Sequence, residues 1–270
     1  DNPGCTPADA CLVWQDAEGL VRNVALTDDL ENISFEVPRE TIRQGNAIVA
    51  VRDAAGTIMW SWHIWVTDYV LDSDVRTVTN VYSVGYDFMP VNLGWCDGPT
   101  TVYENRRVSV RLTQAGTGQT ALFTLDQPAA TVVDPGNNTY YQWGRKDPLL
   151  PGIFKAGSYV ADDKSCYTDS DKPGYAFNSS DLYSRDISEW IKAPYCFNTM
   201  DYMDMKYFNL WNADNTAADV NNDTVVKTVY DPSPVGYCLP PVNAFTGTTA
   251  YGSMASGDSA YGYLYNMDLI

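Results

Sequence analysis

Histidine is almost absent from this sequence: His63 is the only one in 270 residues. That scarcity removes whole classes of chemistry. There is no HExxH pair, no GxSxG elbow, and no CxxC pair among six cysteines, so zinc hydrolysis, serine-hydrolase catalysis and a zinc ribbon all lack their residues. Basic residues are also scarce, 17 against 34 acidic ones, which leaves a formal net charge of −17. A surface of that sign repels phosphate backbones and anionic lipid, and nucleic acid is excluded as a partner. No apolar run approaches the ~20 residues that a membrane-spanning helix needs. The opening DNPGCTPADA carries neither the basic nor the apolar stretch of a secretion signal, which reads as a processed chain or a piece of a longer one.

What is plentiful is aromatic. Nineteen tyrosines and eight tryptophans serve cores and ligand-binding surfaces equally well, and a 45% hydrophobic content suffices for a buried core. Cys5, Cys11, Cys96, Cys166, Cys196 and Cys238 are scattered, a pattern produced alike by disulfides in an oxidising compartment and by buried thiols.

From Cys11 to Val66 short runs rich in β-branched and aromatic residues alternate with turn signals. ACLVWQDA, RNVALT, NISFEVP, NAIVAVRD and MWSWHIWV read as strands, the last two as a hairpin around Ala54-Ala55-Gly56. The region 1–72 is expected to be part of a β-sandwich, with its later strands present. Within MWSWHIWV, strand parity places Ile58, Trp60, Trp62, Ile64 and Val66 on an apolar core face and Met59, Ser61, His63 and Trp65 on the other. With no nucleophile or co-ligand to work with, His63 reads as a structural histidine at the boundary with the next domain rather than a general base.

The polar stretch 68–84 marks the domain junction, and a second domain is expected over 73–270. RRVSVRLTQAGTGQTALFTLDQ predicts a hairpin with strands over 106–113 and 119–126. DISEWIKAP predicts a short helix ended by Pro194. YYQWGRKDP predicts a strand broken at Asp147-Pro148, and VYDPSPVGYCLPP an irregular rigid path before Val242-Asn243-Ala244-Phe245 starts a helix. Both phrases read as scaffold. The polar segments 155–181, 209–224 and 246–262 are long for loops within a compact domain, which points to display of a binding surface.

Several phrases resemble a known family in their order along the chain: GNAIVAVRDAAGTIMWSWHIWVTDY at 45–69, FMPVNLG at 88–94, YYQWGRKDPLLPG at 140–152 and KTVYDPSPVGYCLPPVNAFTG at 227–247. They are similar to the Bacteroidetes surface proteins that join a β-sandwich to a Fibrobacter succinogenes major paralogous domain, found among fimbrial tip and fimbrillin-associated adhesins. The resemblance implies a C-type-lectin-like fold for the second domain, an extracellular location on the cell surface, outer membrane or fimbria, and binding without catalysis. Pro90-Val91 replaces the family's Asp-Arg, and Ser233 stands where its DPCP carries cysteine. A complete domain of that family would also continue past Ile270.

Two loops are candidate sites. In LWNADNTAADVNNDT, Trp211 flanks Asp214, Asn215, Asn221 and Asn222 as a glycan-binding set, while Asp219, Asn221 and Asp223 have the spacing of the first ligands of a calcium loop. Thr224 and Tyr230 occupy the positions where an EF-hand needs glycine and glutamate, so the alternatives are a lectin-like calcium loop and a solvated polar turn. In SYVADDKSCYTDSDKPGY, Asp162, Asp163, Asp169 and Asp171 with Tyr159, Tyr167 and Tyr175 line a possible pocket, pinned if Cys166 pairs with Cys196. The expected fold class is therefore β-rich α+β, a partial β-sandwich followed by a C-type-lectin-like domain with long loops. The expected function is a non-enzymatic adhesin or fimbrial tip subunit binding a glycan or a host or microbial surface protein, with calcium as the possible cofactor. The alternatives are a pilus assembly subunit joined to other pilus subunits by strand complementation and, on the strength of its many carboxylates, a glycan-processing enzyme.

Overall fold

The computed structural model describes residues 6–80, 82–141, 144–149, 152–155, 158–161, 187–195, 210–213 and 225–245. The chain is β-rich with about 5% helix, and its sheets are antiparallel. By contact it divides into one unit of residues 1–95 with 138–270 and a second unit of residues 96–137. The 72/73 junction expected from composition thus falls inside the larger unit, because the strands before it and the segments after residue 138 share one set of contacts.

The larger unit begins with β1 (Asp9–Gln15), β2 (Arg22–Leu26), β3 (Ile33–Glu36), β4 (Gly45–Arg52) and β5 (Ile58–Val66), close to the five runs picked out by pattern. β4 lies between β1 and β5 in a three-stranded sheet, and β2 pairs with β3. The continuous apolar run of β4 is what a strand covered on both faces requires. Ile48 and Ala50 join Cys11, Trp14 and Ile58 in one cluster, whereas Ala47 and Val49 join Leu12, Leu20 and Val21 in another on the opposite face. The Trp14 indole N–H is buried with no partner among the described residues.

Parity misjudged the start of β5. Ile58 is opposite Arg52 but Trp60 is opposite Val51, so Met59 forms a bulge and Ile58 turns to the face of Ser61, His63 and Trp65. The face left to Trp60, Trp62, Ile64 and Val66 is not wholly buried, and Trp62 is 44% exposed. On that face Ile64 and Val66 pack against the Leu12–Val49 cluster, and Trp60 lies against Lys146 and Tyr230.

β6 (Arg76–Thr79) and β7 (Gly85–Phe88) form a hairpin in the same unit. The smaller unit is a two-stranded ribbon: β8 (Thr100–Tyr103) pairs with β11 (Ala130–Val133), and β9 (Arg106–Thr113) with β10 (Thr120–Gln127), within a residue of the expected hairpin. Beyond it come the short pair β12 (Gly152–Lys155) and β13 (Ser158–Ala161), the helix α1 (Ile187–Lys192) with Trp190 buried, and a 3-10 turn at Val242–Phe245. Of the strand expected in YYQWGRKDP, the described residues show a bridge between Tyr140 and Leu149, and Gly144 takes a positive φ of 76°.

Gly94, in the phrase NLG, shows how closely these segments meet. Its φ is +81°, and an added Cβ would overlap Thr139 Oγ1 and lie 3.0 Å from Asn46 Oδ1. Gly94→Ala therefore combines backbone strain with a clash. We expect it to lower unfolding stability by about 2 kcal/mol or more in urea denaturation, whereas Gly56→Ala, strained at φ +80° but with nothing near, costs less.

Candidate functional site

Asn46, fully buried, ties four segments together. Its backbone N–H donates to Asp16 Oδ1 at 2.7 Å, and its Nδ2 donates to Asp16 Oδ2 and to the Gly94 carbonyl, both at 2.9 Å. Because those partners accept only, the carboxamide orientation is fixed, and Oδ1 is left to accept from His63 Nε2 at 2.9 Å. Nε2 then carries the proton, and His63 Nδ1 accepts from the Tyr141 hydroxyl at 2.7 Å. Both ring nitrogens are thus satisfied in the neutral form. Burial pushes the His63 pKa down from 6.5 to about 3 and holds the Tyr141 phenol well above its usual range. The only histidine is part of the frame, as its sequence context predicted.

A second buried polar knot lies on the same strand. Lys146 Nζ donates to the Ser61 carbonyl at 2.8 Å, to Ser61 Oγ at 2.6 Å and to the Asp147 carboxylate at 2.8 Å, and sits 4.4 Å from the centre of the Trp60 ring. The Lys146 and Asp147 side chains are only 8% and 3% exposed. A serine beside a lysine raises the question of a Ser-Lys nucleophile. Here Ser61 is 2% exposed and its hydroxyl donates to Asp147 at 2.9 Å. Burial lowers the Lys146 pKa, with Asp147 opposing the shift, and its N–H groups are committed to acceptors. The knot fastens Lys146-Asp147 to β5. Arg145, also buried, donates to the Ala193 carbonyl just past α1 at 3.1 Å, and the Trp211 indole donates to the Arg145 carbonyl at 2.9 Å. The scaffold reading of GRKDP rests on these contacts.

Beside this frame lies a cavity of about 550 Å³. Its first wall is the β6–β7 hairpin, which presents Arg76, Val78, Tyr86 and Phe88. The facing wall takes Pro232, Tyr237, Cys238 and Pro240 from the irregular path predicted for VYDPSPVGYCLPP, and Phe245 from the 3-10 turn after it. Buried Asp231 holds that path, accepting from the Ser233 N–H at 2.8 Å and the Leu239 N–H at 2.9 Å, while Lys227 Nζ reaches the Pro234 and Tyr237 carbonyls at 3.0 and 2.8 Å. The walls are cross-tied. Tyr237 donates to the Leu71 carbonyl at 2.9 Å and lies 3.0 Å from Asp72 Oδ1, Asn80 Nδ2 donates to the Asn243 carbonyl at 3.0 Å, and the Phe88 and Phe245 rings sit 5.9 Å apart. The floor includes Leu93, Thr139, Tyr141 and Trp211, so two floor residues are held by the polar frame itself.

Of the residues expected to bind a ligand, Trp211 reaches this cavity, as a 3% exposed floor residue rather than an open stacking platform. Asp214, Asn215, Asp219, Asn221, Asn222 and Asp223 lie outside the described residues, as do Asp162, Asp163, Asp169, Asp171 and the Cys166–Cys196 pair. Among the described residues no group of three His, Cys, Asp or Glu is gathered as for a metal, and no helix is long and apolar enough to cross a membrane. Of the wall residues, those up to 84 were read from sequence as a domain junction, 88–94 as a phrase of the resemblance, and VYDPSPVGYCLPP as scaffold; their density of aromatics and prolines was the available signal. Comparison with protein families, with curated proteins and with solved structures finds no match to this chain.

Two expectations follow. Lys146→Met strands the Asp147 carboxylate in the interior and should cost about 3–5 kcal/mol in unfolding free energy. For His63, the unfolded chain takes a proton near pH 6.5 and the folded chain only near 3. Between those values acid favours the unfolded state, so this group's stabilisation is complete above 6.5 and declines as pH falls, by at most about 1.4 kcal/mol per unit. That slope is a ceiling, because part of the residue remains accessible. Urea titrations across that range should show His63→Gln with a shallower pH dependence than the parent chain, whatever its absolute stability.

Proposed function

We propose that this chain is the binding portion of a cell-surface adhesin or fimbrial tip subunit, and that it captures a glycan or surface-protein ligand at the cavity between the β6–β7 hairpin and the 231–245 segment. One observation carries the reading: a cavity of about 550 Å³, largely apolar and aromatic, is walled by segments whose positions are fixed by hydrogen bonds. Preformed concave sites with aromatic walls and a few placed polar groups are what ligand binding requires. The most reactive-looking grouping, Ser61 with Lys146, is sealed away from it. Resemblance of the phrases around NLG, GRKDP and YDPSP to the Bacteroidetes fimbrial adhesins agrees with a lectin-like domain at the cell surface and with a sandwich preceding it. The calcium and glycan roles of Asp219, Asn221 and Asp223, with Asp214, Asn215 and Asn222, belong to the same proposal. An assembly subunit is the second reading, favoured by the strand edges of the β8–β11 pair, which have no further strand beside them among the described residues.

Binding to glycan and peptide arrays, in calcium and again in EDTA, tests this. A defined ligand should bind, and Tyr86→Ala with Phe88→Ala should weaken it at least tenfold in folded protein. Loss in EDTA and with Asp219→Asn plus Asp223→Asn would place calcium in the site. No ligand on either array, or full binding by the cavity variant, contradicts the reading.

A further inference from the structure

The cavity between the β6–β7 hairpin and the 231–245 segment carries an uneven set of charges. Among the described residues, Asp72, Arg76 and Asp87 are the charged members of its lining. Both carboxylates are engaged: Asp72 Oδ1 lies 3.0 Å from the Tyr237 hydroxyl, and Asp87 Oδ1 accepts from Thr77 Oγ1 at 2.6 Å. Thr77 and Asp87 stand opposite one another, so strand alternation turns their side chains to the hairpin face away from Arg76 and its own opposite residue, Phe88. Arg76 is exposed and makes no hydrogen bond or ion pair with any described residue. In a chain with 34 acidic residues against 17 basic ones, a cavity-lining guanidinium without a carboxylate is a cation left for something outside the fold.

The neutral lining narrows what that something is. Tyr86 shares the face of Arg76 and Phe88. Its hydroxyl, the Asn92 carboxamide and the Ser233 hydroxyl also line the cavity and make no hydrogen bond to any described residue. Aromatic faces beside unengaged hydroxyl and carboxamide groups suit a sugar, whose C–H face stacks on a ring while its hydroxyls take the polar groups. A guanidinium adds a carboxylate to that description, because the two form a pair of parallel hydrogen bonds. Other anions fit less well. Capture of a peptide's terminal carboxylate relies on a nest of backbone N–H groups, whereas the cation here is a side chain. A phosphate polymer needs several cations and is repelled by a net charge of −17.

We propose that the cavity takes an acidic sugar, a pyranose carrying one carboxylate on its ring as in a uronic or sialic acid, with Arg76 pairing to the carboxylate and the Tyr86 and Phe88 side of the hairpin receiving the ring. This rests on the cavity being the ligand site and adds to that reading the class of glycan.

Isothermal titration of the full chain with two matched pairs of probes tests it: methyl glucuronide beside methyl glucoside, and sialyllactose beside its carboxyl-reduced form. In at least one pair the acid should bind about tenfold tighter or more than its neutral counterpart. Arg76→Gln should erase that preference and leave the melting temperature unchanged, since Arg76 holds nothing in the fold; Arg76→Lys should keep part of it. Equal binding of acid and neutral forms, or a preference that persists in Arg76→Gln, overturns the acidic-sugar assignment, and the cavity reading still stands if Tyr86→Ala with Phe88→Ala abolishes the binding. Binding that survives the double variant overturns both. No binding of any of the four probes overturns the acidic-sugar assignment alone, while a neutral glycan or peptide held at the cavity would sustain the broader reading.

Discussion

The carboxamide of Asn46 is the point on which the larger unit depends. It is buried on the central strand, its two N–H groups are taken by acceptor-only partners, and its oxygen therefore accepts a hydrogen bond from His63 Nε2–H. Through that forced direction β4 is joined to Asp16, to Gly94, to β5 and, by way of the histidine, to Tyr141. A polar group at this depth is costly unless every bond is made, and here the bonds are made by segments far apart in sequence. The network consequently specifies which segments meet, a task that apolar packing alone leaves loosely defined.

The consequence for function is mechanical. Tyr141 and Trp211 belong to the cavity floor, and each is held by the frame: Tyr141 by His63, and Trp211 by the carbonyl of Arg145, whose guanidinium is fixed at the end of α1. Asp231 and Lys227 do the same for the facing wall without any regular secondary structure. A floor and wall positioned this way have little conformational freedom left to lose, which is the condition under which apolar contacts to a bound molecule are not offset by ordering costs. The charges of Lys146 and Asp147 meet each other and Ser61 and anchor this segment to β5.

The strands before residue 67 and the β9–β10 hairpin were legible because alternation, β-branching and turn residues are local signals. The bulge at Met59 was not, since it depends on how β5 registers against Arg52 and Val51, a property of two strands together. His63 could be assigned a structural role from what the sequence lacks, but its partners Asn46 and Tyr141 could not be named, because they lie 17 and 78 residues away. The burial of Lys146 and Asp147 was hidden for a similar reason: charged residues read as surface until their partner is known. The cavity walls come from residues 72–93 and 231–245, joined by ties such as Asn80 to Asn243 across 163 positions, so neither stretch carries the signature of a site by itself.

Having one histidine makes the central claim directly measurable. In a nitrogen-15 NMR correlation spectrum the imidazole resonances have a single assignment, and their shifts report tautomer and protonation together. A neutral ring protonated at Nε2, unchanged at pH values well below the ordinary 6.5, is the result expected if His63 is locked between Asn46 and Tyr141. A ring that titrates near 6.5, or that carries its proton on Nδ1, would contradict it.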